Sequence, residues 1–347
     1  MTENQYLRWL TQNTQTVYWH DSAIRAGQLE GFFNGATGMT TNPFLIYQTL
    51  SSDPGFWRER IAAIPKGLSG DEKVEALTRC VTAFYADEAE PHYDVEKGWG
   101  FVCAQTNPSR TGDAAYMIEQ AGRLASWAKN VCIKLPATRA GIEAYEECVA
   151  CGYNVAATVS FTVSQALKAG EARERGKKRA AANGVKPGLG IAVLMIGRLD
   201  DYLRDVAHDS APDVRESDIV QAGVACMKRA YGIFRERGYD TFLMPAAFRT
   251  ARQVADLAGA RMIMSVAPRI AESLLNETAL EERIHMPADP DAINRLYTMP
   301  EFRRAYEPDG MTPEEFITFG AANRTTGQFI HDGWNPLSEM EYYTAGR

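Results

Sequence analysis

Short apolar runs recur along the chain, spaced so that a helix fits between most neighbours. They cover residues 17–20, 35–40, 100–104, 131–135, 155–160, 191–196, 241–245 and 261–266. Near-continuous apolar runs of about four to eight residues mark strands buried on both faces, as in a parallel sheet. The intervening segments carry helical spacing. Residues 113–129 place apolar side chains on one face, and 217–237 opens on a Ser217-Asp218 cap and closes before Gly238. An amphipathic stretch over 5–10 precedes the first strand. Strands alternating with helices, without a long linker, predict an α/β fold of the (β/α)8 barrel kind. A doubly wound open sheet is the alternative, but the Gly-rich turn it would show after its first strand is missing.

Two stretches exceed a minimal barrel. Residues 168–186 hold Arg173, Arg175, Lys177, Lys178 and Arg179, a run that reads as a solvated helix face before it reads as an anion site. From about 281 the chain is broken by Pro287, Pro290, Pro300 and Pro308. It then predicts a helix over 313–329 and ends near Asp332-Gly333-Trp334-Asn335-Pro336. The division expected is a barrel over 1–280, with an N-terminal helix, and a C-terminal helical extension over 281–347 packed on it. Trp334 is either a packing anchor or an aromatic at the barrel mouth.

Composition narrows the classes. The 347 residues carry a net charge of −7, which gives no electrostatic reason to expect nucleic acid or an anionic membrane as partner. No apolar run is long enough to span a bilayer and the N-terminus lacks an apolar leader, so a cytoplasmic location is expected. Six cysteines in so long a chain are not a disulfide framework. Cys148 and Cys151 form a lone Cys-x-x-Cys ending a helix, read as structural. The five histidines are scattered without ligand spacing, so neither a metal nor a cofactor is expected.

One residue breaks the apolar pattern. Lys134 lies inside Val131-Cys132-Ile133-Lys134-Leu135-Pro136, the fourth run. An ammonium is costly to bury, whereas a neutral amine costs less and attacks carbonyl carbon. The alternative is a strand-end lysine reaching out to water. In a (β/α)8 barrel the chemistry sits at the C-terminal strand ends. Polar residues fall there strand by strand: Asp21, then Thr41 and Asn42, then Gln105, Lys134, Thr158, Arg198 and Arg249. Each has a plain reading as well. Asp21 could cap a helix, Asn42-Pro43 could form a turn, Thr158 could fill a strand, and each arginine could pair with an acidic helix.

These residues carry a family resemblance. Thr40-Thr41-Asn42-Pro43-Phe44-Leu45-Ile46 resembles the Thr-Thr-Asn-Pro signature of transaldolases, and Lys134-Leu135-Pro136-Ala137-Thr138 followed by Gly141 resembles that family's Schiff-base lysine motif. Gly197-Arg198-Leu199-Asp200-Asp201-Tyr202 and Ala246-Ala247-Phe248-Arg249 match in order. The family, which includes small fructose-6-phosphate aldolases, is a barrel with its lysine on strand four. The resemblance implies carbohydrate metabolism of the pentose phosphate kind, with sugar or sugar-phosphate substrates; it leaves a homo-oligomer open. It implies that Lys134 forms an imine with a ketose and that Asp21 takes the C4 hydroxyl proton. It further implies that Thr41 and Asn42 bind the dihydroxyacetone part, that Gln105 and Thr158 hold a relay water, and that Arg198 and Arg249 bind a terminal phosphate.

Four positions depart from the family. Gln105 stands where the larger transaldolases have glutamate, and an amide can orient a water but cannot supply a carboxyl proton. The small aldolases have glutamine there with a strand-six tyrosine, which here is Met195. Ala156 and Ala247 replace an asparagine and a phosphate-binding serine. These departures imply a shifted substrate, an acid supplied from elsewhere such as the C-terminal segment, or weak activity. Three functions stay open: a transaldolase-type transferase, an aldolase-like lyase releasing dihydroxyacetone, and a barrel that binds sugar phosphate without catalysis. The retained Lys134 and Asp21 argue against the last.

Overall fold

A computed structural model describes residues 1–211 and 213–341. The apolar runs become eight parallel strands: β1 Val17–His20, β2 Gly38–Met39, β3 Phe101–Gln105, β4 Val131–Pro136, β5 Asn154–Thr158, β6 Gly190–Leu194, β7 Phe242–Pro245 and β8 Ile263–Val266. Their order is β7-β6-β5-β4-β3-β2-β1-β8, and a bridge from Leu243 to Met262 joins the two ends into a barrel. Helix Gln5–Asn13 precedes β1, as expected.

The second strand is much shorter than its run. Gly38 pairs with Trp19, and a Cβ at Gly38 would lie 2.6 Å from the Trp19 indole. That indole donates from Nε1 to Gly98 O at 2.8 Å and stacks on Phe101 at 5.9 Å. A large aromatic thus fills the lower barrel, and glycine leaves room for it.

Register decides which side chains meet. Gln105 pairs with Lys134, and Lys134 with Ala156. Side chains in register on parallel strands share one face, so these three line the barrel interior. Ile133 and Leu135 face the other way and are buried under the outer helices.

Several helix bounds differ from expectation. The helix expected over 217–237 is Glu216–Glu236, and Asp218 is not its cap but its N3 residue, accepting from Arg215 N at 3.0 Å. Asp218 is also held by an Arg295 fork at 2.8 and 2.7 Å, which fixes that position. The helix expected over 113–129 is Ala114–Ala125, capped by Asp113. It stops short because the chain must turn to bring buried Asn130 onto the carbonyls of Ala86 and Gly100, both at 2.7 Å.

The helix expected over 313–329 is broken into a 3-10 turn, Phe316–Thr318, and helix Gly320–Phe329. The break is pinned by Phe319, which packs on Tyr202 at 5.2 Å and Phe161 at 6.3 Å. A π-helical turn, Ile330–Trp334, follows and presses Gly333 onto Pro43 and Phe44. Trp334 is a packing anchor: it is buried and donates from Nε1 to Asp71 Oδ1 at 3.0 Å.

Most of the basic run is a solvated face of helix Val163–Ala182, with Arg175, Lys177 and Arg179 paired to Glu146, Glu174 and Glu147. Arg173 departs from that expectation, being buried and donating from Nη2 to Gly188 O at 2.9 Å. Cys148 is buried, Cys151 is exposed, and both are free thiols. Among the described residues no helix is long and apolar enough to cross a membrane.

Candidate active site

Lys134 stays inside the barrel rather than reaching for water. It is 8% exposed, and Nζ donates to Thr41 O at 3.0 Å across the top of β2. Thr41 is held there by its own hydroxyl, which donates to Cys103 O at 2.7 Å. The Thr41 side chain is therefore spent within the sheet, while its carbonyl aims the amine.

Asp21 follows β1 and does not cap the next helix, whose N-cap is Ile24. Thr40 Oγ1 donates to Asp21 Oδ1 at 2.6 Å, and the same Thr40 oxygen lies 2.6 Å from Ser265 Oγ. Burial raises the Asp21 carboxyl above the usual carboxylate range. The Thr40 hydrogen bond, the charges of Lys134 and Arg198, and a smaller direct contribution from the Ser265 hydroxyl oppose that without cancelling it. The result is a carboxylate that takes up a proton more readily than a solvated one, with a lysine inside the field it feels.

Gln105 and Thr158 end β3 and β5 on the interior face. Both are buried, and Gln105 Oε1 has no partner among the described residues. Ser160 Oγ, two residues beyond Thr158, is likewise buried and unpartnered. Unpaired buried oxygens cost about 1–3 kcal/mol each unless a ligand or water meets them. Met195 and Ala156, at two of the four departures, are also buried at this level. Asn42 is the N-cap of helix Pro43–Ser52, accepting from Leu45 N at 3.0 Å. Only its Oδ1 is engaged by that cap.

The two arginines differ. Arg249 donates to Asp201 Oδ2 from Nε at 2.9 Å and from Nη2 at 2.6 Å, and from Nη1 to Ala247 O at 2.8 Å. This is the pairing with an acidic helix that its plain reading expects. Arg198 has no ion pair among the described residues. Its guanidinium lies 5.6 Å from the Phe329 ring of the extension. Burial, then the neighbouring Arg249, lower its proton affinity from the usual arginine value.

The loops that carry these residues are strained. Val159 and Ala247 have φ of +52° and +57°, a region costing an L-residue about 1–2 kcal/mol. Each kink is braced by a glutamine in the next helix. Gln165 Oε1 accepts from Phe161 N at 2.9 Å while its Nε2 donates to Ala137 O at 2.9 Å. Gln253 Oε1 accepts from Arg249 N at 2.7 Å and its Nε2 donates to Asp200 Oδ2 at 2.6 Å.

Sequence reasoning passed over Ser265, Ser160 and Phe329. Ser265 did leave a signal, as the polar residue in Ile263-Met264-Ser265-Val266. Phe329 left none, because its approach to Arg198 depends on where the extension folds back.

The family model described as transaldolase/fructose-6-phosphate aldolase matches residues 18–316. A transaldolase of Neisseria gonorrhoeae is 32% identical over 189 residues, 52% of this chain and 54% of that protein. Transaldolase 1 of Streptomyces avermitilis is 28% identical over 205 residues, 57% of this chain and 54% of that protein. Transaldolase 2 of Streptomyces coelicolor is 26% identical over 271 residues, 76% of this chain and 69% of that protein. The chain thus spans little more than half the length of the first two relatives.

Proposed function

The chain belongs to the transaldolase/fructose-6-phosphate aldolase family, and from that premise we propose that it is a transaldolase-type transferase working through a Schiff base on Lys134. The observation that carries this is the buried Lys134 amine, held by Thr41 O, inside the field felt by the Asp21 carboxylate.

The reaction follows from those groups. The Lys134 amine, having given up its proton, attacks the C2 ketone of a ketose; the carbinolamine hydroxyl takes up a proton and leaves as water, giving a protonated imine. Asp21 takes the C4 hydroxyl proton as the C3–C4 bond breaks. The bonding electrons pass to the protonated imine and form an enamine, while the shorter aldehyde departs. The enamine then attacks an acceptor aldehyde, Asp21 returns its proton to the new hydroxyl, and water hydrolyses the imine. Gln105 and Thr158 orient that water. Asn42 binds the dihydroxyacetone part beside Thr41. Arg198 binds the terminal anionic group of a sugar phosphate, with Arg249 as the second, more committed cation. Sugar phosphates of pentose phosphate metabolism are the substrate class. The cytoplasm is the proposed setting, supported by six free cysteines. The division near residue 280 into a catalytic barrel and an extension belongs to the same proposal.

Borohydride reduction in the presence of phosphorylated ketoses tests it. A stable mass gain is expected on Lys134, and Lys134→Ala should lose both the adduct and turnover. A wild-type rate in Lys134→Ala would overturn the mechanism. Transfer should require an added acceptor aldose; release of free dihydroxyacetone without one would make the enzyme a lyase.

A further inference from the structure

Asp21 is held by more than its own strand. Asp21 N donates to Val266 O at 3.0 Å, and Trp19 pairs with Ser265 in the β1–β8 register. This puts Ser265, 2% exposed, beside Thr40 and under the carboxylate. Thr40 Oγ1 has one proton. With Asp21 ionised, a carboxylate only accepts, so Thr40 donates to Asp21 and must accept from Ser265. The chain therefore runs from Ser265 Oγ–H to Thr40 Oγ1–H to Asp21 Oδ1, each step 2.6 Å.

We propose that Ser265 is a positioning residue for the Asp21 base, acting through Thr40 as a two-hydroxyl relay that can reverse. When Asp21 is protonated, its O–H donates to Thr40 Oγ1, and Thr40 turns its own proton to Ser265 Oγ. Both hydroxyls rotate and no proton changes owner. The carboxyl thus has a partner in both of its charge states, although it sits where water is scarce. A base that must accept a proton in cleavage and return it in bond formation needs a partner in both states. The ionised state gains more from the chain, because hydrogen bonds to a charge are about twice as strong as neutral ones. The catalytic part of this inference rests on the Schiff-base reading; the hydrogen-bond part does not.

Other groups facing Asp21 also set its titration: Tyr18 on its own strand, Cys103 on β3, Lys134 on β4 and Arg198 in helix Ile196–Ser210. The test must leave all four in place. The variants are therefore Ser265→Ala and Ser265→Thr, with folding checked by circular dichroism and thermal melting. Carbon-13 NMR of labelled Asp carboxyls, assigned with Asp21→Asn, reads the Asp21 titration directly. In Ser265→Ala, Asp21 should titrate about one unit higher, since one hydrogen bond to the ionised form is weakened. The acid limb of kcat/KM for ketose cleavage should move with it and kcat should fall about tenfold, which is the same free energy read as a rate. Ser265→Thr keeps the hydroxyl and should restore both. An unchanged Asp21 titration in Ser265→Ala, or equal losses in both variants, overturns the relay. Failure to trap any ketose on wild-type Lys134 would instead overturn the Schiff-base reading, and the NMR titration would still decide the relay.

Discussion

Two neighbouring residues at the end of β1, His20 and Asp21, show how burial acts in opposite directions on an acid and a base. Asp21 is drawn up toward protonation, while His20 is kept neutral. The His20 ring packs on Gly31, lies 2.9 Å at Nδ1 from the Tyr18 hydroxyl, and has no partner at Nε2. Burial pushes its pKa down from the ordinary 6.5 to about 4. Between those values the unfolded chain binds a proton that the folded chain does not, so stability falls as pH drops from 6.5 to about 4 and is level above 6.5. The expected loss is about 3 kcal/mol. Urea unfolding at neutral pH and near the lower value, for wild type and His20→Gln, checks this. The pH-dependent loss should shrink in the variant, and an undiminished loss would assign the titration elsewhere. At this scale the sequence was informative where a residue broke its pattern. Lys134 in an apolar run was legible because burial of an amine needs a reason. Asp201 was not, because an acidic residue in an amphipathic helix is ordinary until Arg249 is found on it.

At the scale of elements, the strand ends and the caps that follow them do the placing. Thr162 and Gln165 form a capping box, and Thr250 accepts from Gln253 N at 3.4 Å at the matching place after β7. The Thr-x-x-Gln spacing is visible in the chain, but the positive φ values it braces are not. Another element junction is testable. Helix Pro43–Ser52 begins where Asn42 caps it, and the π-helical turn meets it there through Gly333. A Cβ at Gly333 would fall on Phe44 N and lie 2.6 Å from the Pro43 carbonyl carbon. Neither atom can move without disturbing the cap. Gly333→Ala should therefore destabilise by about 1–3 kcal/mol and expose residues 281–341 to limited proteolysis. Gly327→Ala is the control: a Cβ there meets nothing within 4 Å, so the helix should gain about 0.5–1 kcal/mol. Equal melting temperatures for the two variants would contradict this account of the junction.

For the whole molecule, the question is whether the barrel is complete without its extension. Phe302, Phe316, Phe319, Phe329 and Leu337 of the extension are all buried, and Phe319 and Phe329 sit against Tyr202, Phe161 and Arg198 of the barrel. Side chains of this size contribute about 1.5–3 kcal/mol each on burial, which is comparable in sum with the net stability of an ordinary domain. Deleting 281–347 is therefore expected to give a barrel that aggregates or melts well below the full chain. Circular dichroism melting of residues 1–280 reads the result. A truncated barrel with the full chain's melting temperature would make the extension a mere appendage.

The sequence by itself determined the (β/α)8 barrel, the strand that carries Lys134 and the polar rim at the strand ends. Apolar runs separated by helical spacing have few other ways to bury both faces of a parallel sheet. It also carried the family motifs, because those are local strings. The tertiary structure alone decided which rim residues are free to act. The Thr41 hydroxyl is occupied by Cys103 O, Arg249 is held by Asp201, Arg198 lies beside Phe329, and Thr40, which donates to Asp21, meets Ser265 of β8. Each of these depends on partners far apart in the chain, and on barrel closure that puts β8 beside β1. Local pattern encodes which face of an element is buried, whereas hydrogen bonds and ion pairs between elements exist only once the register is fixed.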